Sequence, residues 1–320
     1  MNLFDLRDRV IGGYVVDKDE ALFLAGAETE MLCAAANSIR EHFCGRKFDM
    51  CSIVNGKSGR CPEDCKFCAQ SAHYETNPEI YPLLDSDTIV EAANNNHCKG
   101  VLRFSVVTSG DSLSDGEADV LCEIYAKIKK QCGIQLCSSN GLLSDEQFVR
   151  LRESGVSRYH CNLETSRGYF PKICSTHTYD DKISAILRAQ TAGLEVCSGG
   201  IIGMGETMED RIDMAFEVRG LGVKSVPLNI LNPISGTPFE GFQILSNDEV
   251  RRTAAVYRFI IPNAALRLAG GRNLLADKGR SVFLSGANAA ISGDMLTTSG
   301  ISAEDDLKMI RELGFEVETI

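Results

Sequence analysis

The sequence predicts an α/β protein, a (β/α)8 TIM-type barrel with an N-terminal helical extension. Eight short apolar runs follow one another along the chain, and helical patterns separate most of them. Strands that alternate with helices indicate a parallel sheet, and eight such units close a barrel. The 320 residues are a usual length for this architecture, and neither a linker nor a low-complexity segment divides them. We therefore predict a single domain.

The predicted elements follow in chain order. Helices are expected from about Lys18 to Phe43, where apolar positions recur at helical spacing. The predicted strands are Met50–Val54, Val101–Val107, Ile134–Ser138, Tyr159–Leu163, Val196–Ile202, Ser225–Leu231, Ala265–Leu268 and Ala287–Ile291. The helical patterns between them include Asp119–Lys130, Asp145–Glu153, Asp180–Ala192, Glu209–Leu221 and Asn247–Ile260. Within the single domain, residues 1–48 would form the N-terminal helices, 49–300 the barrel and 301–320 a C-terminal helix or tail.

Composition limits the possible classes of function. The net charge of −11 makes the chain a poor partner for nucleic acid, so a small-molecule substrate is expected. No apolar run approaches the length of a membrane span, and the N-terminus lacks a signal-peptide layout. These features predict a cytoplasmic protein without a membrane partner. Its 13 cysteines are then expected to serve metals or catalysis rather than disulfides.

Three cysteines are concentrated in the run Cys-Pro-Glu-Asp-Cys-Lys-Phe-Cys, where Cys61, Cys65 and Cys68 have the spacing C-x3-C-x2-C. A structural zinc ion normally has four protein ligands, whereas three thiolates on a four-iron cluster leave one iron open for chemistry. A zinc knuckle completed by His73, or a chance grouping of cysteines, is the alternative. This triplet, with the aromatic Phe67 before its last cysteine, resembles the signature of radical S-adenosylmethionine enzymes. In that family S-adenosylmethionine chelates the open iron of a 4Fe–4S cluster.

The position of the triplet agrees with the predicted fold. The triplet follows the first predicted strand and therefore belongs to the first βα loop. Active sites of such barrels lie at the carboxyl ends of the strands. We expect the triplet at the catalytic mouth of the barrel.

A second set of candidate ligands lies inside the predicted strands. Cys51, Cys137, Cys197 and Arg267 fall in the first, third, fifth and seventh strands. Alternate strands of a barrel contribute side chains to common interior layers, so this pattern indicates a second metal site inside the barrel. The alternative is that buried free cysteines pack as small hydrophobic residues. We favour that packing role for Cys33, Cys98, Cys122, Cys132 and Cys174, and leave Cys44 undecided.

Strand alternation separates the residues around Cys161. It places His160, Asn162 and Glu164 on one face of the fourth strand. If Asn162 and Glu164 line the pocket, Cys161 faces the helices. We therefore interpret Cys161 as a packing residue.

Longer segments resemble the biotin synthase family, from about residue 20 to the end of the chain. They are residues 55–71 around the triplet, 159–166 (Tyr-His-Cys-Asn-Leu-Glu-Thr-Ser), 196–207, 226–229 (Val-Pro-Leu-Asn), 267–272 (Arg-Leu-Ala-Gly-Gly-Arg) and 286–288 (Gly-Ala-Asn). The resemblance implies insertion of sulfur into dethiobiotin to form biotin. It implies 5′-deoxyadenosyl radicals made from S-adenosylmethionine at the 4Fe–4S cluster, and an auxiliary iron–sulfur cluster as sulfur donor.

The same resemblance implies roles for individual residues. Cys61, Cys65 and Cys68 match the ligands of the radical cluster. Auxiliary-cluster ligands are matched by Cys137, Cys197 and Arg267, and Arg267 is counted among the catalytic residues as well. Cofactor or substrate contacts are expected for Phe67, Asn162, Glu164, Gly199, Gly200, Ile201 and Asn229. Without the resemblance, Asn162 and Asn229 would be interpreted as ordinary hydrogen-bonding residues at strand ends.

The chain departs from the family pattern at the auxiliary cluster. The family has three cysteines and one arginine around a two-iron cluster, and the second-strand cysteine should fall at Ser105. Cys51 stands on the first strand, where the family usually has a serine. We predict a rebuilt auxiliary site with Cys51, Cys137 and Cys197 as thiolate ligands. A four-iron cluster is favoured there, a 2Fe–2S cluster is the alternative, and Arg267 serves as a ligand or as a nearby cation.

The sequence leaves two other classes of protein as alternatives. Related barrels share the triplet, among them the hydrogenase-maturation radical enzyme and methylornithine synthase. A non-enzymatic iron–sulfur electron carrier or a zinc module is a further alternative, although a carrier rarely needs 320 residues. The resemblance further implies flavodoxin or ferredoxin as electron donor, and a homodimer.

Overall fold

The computed structural model describes residues 2–320, and its centre is a sheet of ten strands. The strands are β1 Lys47–Lys57, β2 Arg103–Thr108, β3 Gln135–Ser139, β4 Val156–His160, β5 Glu195–Cys197, β6 Gly200–Ile202, β7 Ser225–Ile230, β8 Ala265–Leu268, β9 Ala289–Ser292 and β10 Glu316–Val317. The helices are α1 Leu3–Ile11, α2 Lys18–Ala25, α3 Thr29–Cys44, α4 Ser86–Cys98, α5 Asp115–Gln131, α6 Asp145–Glu153, α7 Tyr179–Thr191, α8 Met208–Gly220, α9 Asn247–Ile260, α10 Arg280–Phe283 and α11 Ala303–Glu312.

Parallel pairing closes the sheet into a barrel. The strand order runs β1, β2, β3, β4, β5, β7, β8 and β9, and β9 pairs with β1 again. β5 and β6 are two parts of one barrel strand, since both pair with β7. The barrel therefore has eight strands, and the predicted (β/α)8 fold with an N-terminal helical extension is confirmed. β8, which carries Arg267, is the seventh of these eight.

Local sequence signals explain where the outer helices begin. Five of them start at a Ser or Thr whose side chain accepts a hydrogen bond from the backbone three residues later, while an acidic or amide side chain bonds back to the cap. These capping boxes stand at Ser114, Ser144, Thr178, Thr207 and Ser246. Each box satisfies two backbone donors that a helix otherwise leaves unpaired. The chain thus turns into a helix at the rim where the site lies.

The predicted fifth strand is broken in the middle. β5 ends at Cys197 and β6 begins at Gly200. By register, Gly199 lies opposite Pro227 of β7, and proline has no N–H to give to the ladder. The backbones also come close there, since a Cβ on Gly199 would lie 2.0 Å from the Pro227 carbonyl oxygen.

The fourth strand ends earlier than predicted. β4 stops at His160, so Asn162 and Glu164 lie in the loop that follows it. Glu164 has a φ of +70°, which L-residues rarely adopt, and it bridges to Gly200. Strand alternation therefore does not govern the side chains beyond His160.

The chain ends with an addition to the barrel. β10 pairs with the start of β1, at Lys47↔Glu316 and Phe48↔Val317. The predicted C-terminal helix is α11, which precedes this short strand. At the other end of the chain, α3 packs against α9 on the outside of the barrel. None of the helices in residues 2–320 is both long and apolar enough to span a membrane.

Candidate active site

One cavity of about 410 Å³ connects the barrel mouth with its interior. The βα loops contribute residues such as Gly110, Gly141 and Asn232 to its wall, and the strands contribute apolar side chains such as Ile53 and Val107. The wall also includes both cysteine sets, which are the outer triplet Cys61, Cys65 and Cys68 and the inner set Cys51, Cys137 and Cys197. The structure thus places the two predicted metal sites in the same space.

The outer triplet lies on a loop that closes on itself after β1. The Cys61 N–H donates to the Gln70 carbonyl at 3.0 Å, and the Cys61 carbonyl accepts from the Ala72 N–H at 2.8 Å. The Cys68 N–H donates to the Cys65 carbonyl at 3.0 Å. These bonds fix the backbone of the loop before any metal binds. Phe67 packs against the core and borders the cavity.

The triplet thiols are hard to ionise by themselves. Burial raises the pKa of Cys61, and it raises the pKa of Cys68 to about 11. The pKa of Cys65 is raised by its hydrogen bond to Cys174 and by burial. A bound metal reverses this preference, because coordination deprotonates a thiol. A cationic centre that binds all three cysteines as thiolates would therefore stabilise this loop.

The spacing of the thiols argues against zinc in either set. A zinc ion about 2.3 Å from each sulfur sets its sulfur ligands about 3.8 Å apart. Within residues 2–320, Cys65, Cys174 and His177 form the only group of three His, Cys, Asp or Glu ligands whose atoms all lie within 4.8 Å of one another. The sulfurs of the triplet, and those of the inner set, are spread more widely. That spread suits clusters of several irons.

His73 is engaged elsewhere. Its Nε2 lies 2.8 Å from the Pro62 carbonyl oxygen, and the ring is exposed. His73 is absent from the cavity wall formed by the described residues. The structure therefore gives no support to a zinc knuckle completed by His73.

The inner thiols lie in a positive environment. Burial by itself would raise the pKa of Cys197, but a hydrogen bond and charge from His160, with nearby arginines, lower the pKa to about 6. The hydrogen bond from the Cys51 thiol lowers the pKa of Cys137 to about 7, against the effect of burial. The pKa of Cys51 is raised instead, by its hydrogen bond to Cys137 and by burial. Cys137 and Cys197 thus favour the thiolate, the form that binds iron, more than Cys51 does.

Two arginines that the sequence analysis missed contribute to this environment. Arg103 and Arg158 line the cavity, and register pairs them with Cys51 and Cys137. Arg103 is the first residue of β2, and Arg158 is the central residue of β4. Arg103 stands two residues before Ser105, and strand periodicity puts both on the same face. That pattern could have identified Arg103 as an interior residue.

Arg267 is held by Asp49 at the inner end of the cavity. Its Nη2 donates to Asp49 Oδ1 at 2.6 Å, and its Nη1 donates to the carbonyls of Asp49 at 3.0 Å and Ala290 at 2.9 Å. Arg103 donates to the other oxygen of the same carboxylate at 3.1 Å. Burial would raise the pKa of Asp49, but these arginines lower it to about 2. Because both of its terminal nitrogens donate hydrogen bonds to the protein, Arg267 is better placed as a buried cation than as a ligand.

Two buried polar atoms that border the cavity have no partner among the described residues. They are Ser105 Oγ and Arg158 Nη1. Buried side-chain donors without a partner are rare. Their free donors, together with the arginine charge, fit an anionic occupant such as an iron–sulfur cluster. The residues present therefore match the group that the sequence analysis predicts for this place.

Asn162 and Glu164 form a polar edge on the cavity wall. The Asn162 amide oxygen accepts from the Gly199 N–H at 3.2 Å, and its Nδ2 donates to the Glu164 carboxylate at 3.3 Å. Enclosure in the cavity raises the pKa of Glu164. A residue held at positive φ beside a cavity is typical of functional sites. Lys182, which was not predicted, also lines this region.

Ile201 lines the cavity beside that edge, whereas Gly199 and Gly200, which precede it, are not among the described residues that line the cavity. A Cβ on Gly200 would lie 2.3 Å from the Glu164 carbonyl oxygen, so glycine is needed for close packing. The Ile201 N–H donates to the same carbonyl at 2.8 Å, and its side chain borders the cavity. Asn229 ties two strands together, donating to the Gly200 carbonyl at 3.0 Å and accepting from the Gly270 N–H at 2.9 Å.

The cysteines interpreted as packing residues differ from one another. Cys33 is buried and Cys122 and Cys132 are half-buried, whereas Cys98 is exposed, so the packing prediction is wrong for Cys98. Cys161 is buried as predicted but also touches the cavity. Cys44, which was left undecided, is buried with its sulfur 3.7 Å from Arg258 Nη1.

Cys174 has a larger role than the predicted packing. It is buried, but its sulfur lies 3.8 Å from Cys65 Sγ and 3.3 Å from His177 Nδ1. The hydrogen bond from Cys65 lowers the pKa of Cys174 to about 4, against burial and with help from His177. The spacing Cys-x2-His at 174–177 was visible in the sequence, but its nearness to the triplet is a result of folding.

Comparisons with known proteins divide the chain into two matched regions. Residues 57–218 match the Radical SAM superfamily, and residues 227–316 match the Biotin and Thiamin Synthesis associated domain. The biotin synthase of Clostridium botulinum strain Hall is 56% identical over 316 residues, which are 99% of each chain. The biotin synthase of Brachyspira hyodysenteriae is 55% identical over 318 residues, which are 99% of this chain and 96% of the relative.

Solved structures share the fold at low identity. Methylornithine synthase superposes with a TM-score of 0.86 at 20% identity, covering 98% of this chain and 97% of that one. HydG, a maturase of the FeFe-hydrogenase, gives 0.83 at 17% identity, covering 98% of this chain and 74% of that one. These likenesses concern the barrel and its extension.

Proposed function

Because this chain belongs to the biotin synthase family of radical S-adenosylmethionine enzymes, we propose that it converts dethiobiotin to biotin with two iron–sulfur clusters held in the one cavity. The main support for the proposal is that the outer triplet and the inner set line the same cavity. When bound, the outer 4Fe–4S cluster with S-adenosylmethionine supplies hydrogen-atom abstraction, and the inner cluster supplies the sulfur atom. Dethiobiotin would lie between the two sets.

Individual residues of the chain have separate roles in binding the cluster, S-adenosylmethionine and the substrate. Cys61, Cys65 and Cys68 would hold the outer cluster, and Phe67 packs against the core beside them. Glu164 and Asn162 hold polar groups of S-adenosylmethionine or substrate, and Ile201 and Asn229 form the wall for them, next to Gly199 and Gly200. The apolar strand residues keep water out of the cavity, which protects reactive species from side reactions.

The inner set is proposed as the auxiliary site. Cys51, Cys137 and Cys197 would hold a four-iron cluster, and a 2Fe–2S cluster is the alternative. Arg267 acts there as a cation rather than a ligand, since its nitrogens are donated to Asp49 and Ala290. The unpartnered Arg158 Nη1 and Ser105 Oγ supply hydrogen bonds to the cluster or to the sulfur it donates.

Further features of the proposal come from the family. Flavodoxin or ferredoxin as electron donor, and a homodimer, stay predictions. So does the treatment of residues 1–320 as one domain, which is supported by the pairing of β6 with β7 (Gly200↔Leu228) across the boundary between the two matched regions. A cytoplasmic location is proposed because the reduced thiols of both sets need a reducing compartment.

The experiment is turnover under anaerobic conditions with dethiobiotin, S-adenosylmethionine and a low-potential reductant. Biotin and methionine are both measured by mass spectrometry. Wild type should produce both, Cys61→Ala neither, and Cys137→Ala methionine without biotin. Absence of biotin from wild type that is fully loaded with iron and sulfide would contradict the proposal. Equal biotin from wild type and Cys137→Ala would contradict the role of the inner set.

A further inference from the structure

A second loop packs against the triplet loop. The 3-10 turn Phe170–Lys172 precedes it, and α7 follows it. The Lys66 N–H donates to the Ile173 carbonyl at 2.9 Å, while the Asp64 carboxylate accepts from the backbone N–H of Ser175 at 2.8 Å and of Thr176 at 3.2 Å. These contacts fix the second loop against the first. They bring Cys174 and His177 next to Cys65.

The three side chains have the spacing of ligands to one ion. Cys65 Sγ and Cys174 Sγ are 3.8 Å apart, and Cys174 Sγ is 3.9 Å from His177 Nε2. A tetrahedral zinc ion with Zn–S bonds of about 2.3 Å sets sulfur ligands about 3.8 Å apart. All three ligand atoms lie within 4.8 Å of one another. Corners of a four-iron cluster would need wider spacing.

The surroundings favour a cation at this point. His177 Nδ1 contacts Glu63 Oε2 and lies 3.3 Å from Cys174 Sγ, while Nε2, which is 3.9 Å from the same sulfur, is the nitrogen that would bind a metal. A carboxylate on the second ring nitrogen is the usual arrangement of a zinc-binding histidine, since it fixes the tautomer and the ring orientation. Both Glu63 and His177 are largely buried, with side-chain exposures of 15% and 8%. The Asp64 carboxylate adds negative charge 3.2 Å from Cys174 Sγ.

We propose that Cys65, Cys174 and His177 form a binding site for one thiophilic divalent cation of the Zn²⁺ class, with water in the fourth position. Cys65 is shared with the outer cluster, so the cation and the cluster cannot be bound together. The cation site can therefore be filled only when the triplet carries no cluster. This exclusivity, though not the cation site, rests on the proposed role of Cys65 in the outer cluster.

The test uses the full chain, free of clusters and fully reduced under anaerobic conditions, with Co²⁺ as a coloured substitute for Zn²⁺. Affinity is measured from the sulfur-to-cobalt charge-transfer band and by competition with a chelator. Cys174→Ser and His177→Ala should each bind one Co²⁺ fewer per chain than wild type. Glu63→Gln should weaken that ion about tenfold or more, as expected for a partner of a ligating histidine. Circular dichroism establishes that the variants are folded, and His177→Gln replaces His177→Ala if the latter is not.

Matched controls separate this site from the other thiols. Cys61→Ser should keep the ion, because Cys61 belongs to the triplet but not to the proposed site. Cys132→Ser, which alters a half-buried cysteine outside all three sets, should bind as wild type does. The proposal is overturned if Cys174→Ser and His177→Ala bind as much Co²⁺ as wild type. It is also overturned if Cys61→Ser loses the same ion, since the triplet alone would then be the site.

A separate measurement tests whether the cation and the outer cluster exclude each other. Zn²⁺ added before iron and sulfide should slow the appearance of the cluster absorbance in wild type, and should slow it less in Cys174→Ser. Equal slowing in the two proteins would contradict the shared use of Cys65. If Co²⁺ binds as proposed while the loaded enzyme makes no biotin, the proposed function fails and the cation site stands.

Discussion

Arg267 and Asp49 form a buried ion pair at the inner end of the cavity, with 2.6 Å between Nη2 and Oδ1 and side-chain exposures of 2% and 0%. The same carboxylate pairs with Arg103. A buried charge that loses its partner costs more than an exposed one, because no water replaces the lost interaction. Asp49 therefore determines both the stability of the barrel interior and the position of the cations around the inner set.

Asp49→Asn removes the only carboxylate that Arg267 contacts in the described residues. We expect a loss of about 3–5 kcal/mol in the free energy of unfolding, measured by urea denaturation of the cluster-free protein. Asp87→Asn is the control, because Asp87 pairs with Lys127 and is 89% exposed. That control should lower the free energy of unfolding by less than about 1 kcal/mol, because Asp87 is an exposed residue in the first turn of α4. A loss in Asp49→Asn as small as in the control would show that the buried pair is not needed for stability.

The contribution of Asp49 should depend on pH. Its pKa is about 2 in the folded protein and about 3.9 in an unfolded chain. A depressed carboxyl pKa stabilises the fold above the unfolded value and loses that effect as the pH falls. The stability difference between wild type and Asp49→Asn should thus be constant above about pH 5 and shrink toward about pH 2. A difference that stays unchanged down to about pH 3 would contradict the pKa direction.

Exchanging a thiol between strands should change the auxiliary cluster. Cys51→Ser combined with Ser105→Cys restores the ligand positions of the usual family pattern. We expect about eight irons per chain in wild type, from two four-iron clusters, and about six in the double variant, from one four-iron and one two-iron cluster. Iron and sulfide analysis with Mössbauer spectroscopy measures this. About six irons in both proteins would support the 2Fe–2S alternative in wild type.

Gly199 should tolerate no side chain. A Cβ there would lie 2.0 Å from the Pro227 carbonyl oxygen, and this backbone atom cannot move aside easily. Gly199→Ala should lower the free energy of unfolding by about 1–3 kcal/mol and weaken S-adenosylmethionine binding through the displaced wall. Gly116→Ala is the control, since nothing lies within 4 Å of its Cβ position in α5. It should stabilise the protein by up to about 1 kcal/mol.

The sequence was sufficient for the barrel and for both cysteine sets in the cavity wall. Apolar runs and triplet spacing are local patterns, and the alternate-strand layer follows from barrel geometry, so Cys51, Cys137, Cys197 and Arg267 could be placed together. The break between β5 and β6 depends on Pro227, which lies on another strand. Asp49 likewise becomes important only through arginines distant in the chain.

The contact between Cys174 and Cys65 of the triplet could not be predicted for a related reason. Cys174 lies 109 residues after Cys65, and nothing in its local sequence shows that the two loops meet. Its burial agrees with the packing interpretation, but its contacts do not. Long-range docking of loops, held by Asp64 and by backbone hydrogen bonds, is a property of the folded chain.

In the proposed function, the cluster held by the inner set donates sulfur to a substrate in the shared cavity. The most direct measurement is a single turnover of enzyme whose clusters were built with isotopically heavy sulfide, in buffer that contains only ordinary sulfide. We expect the wild-type enzyme to give biotin that carries the heavy isotope, and Cys137→Ala to give no labelled biotin. Biotin of ordinary mass from the wild-type enzyme would contradict it.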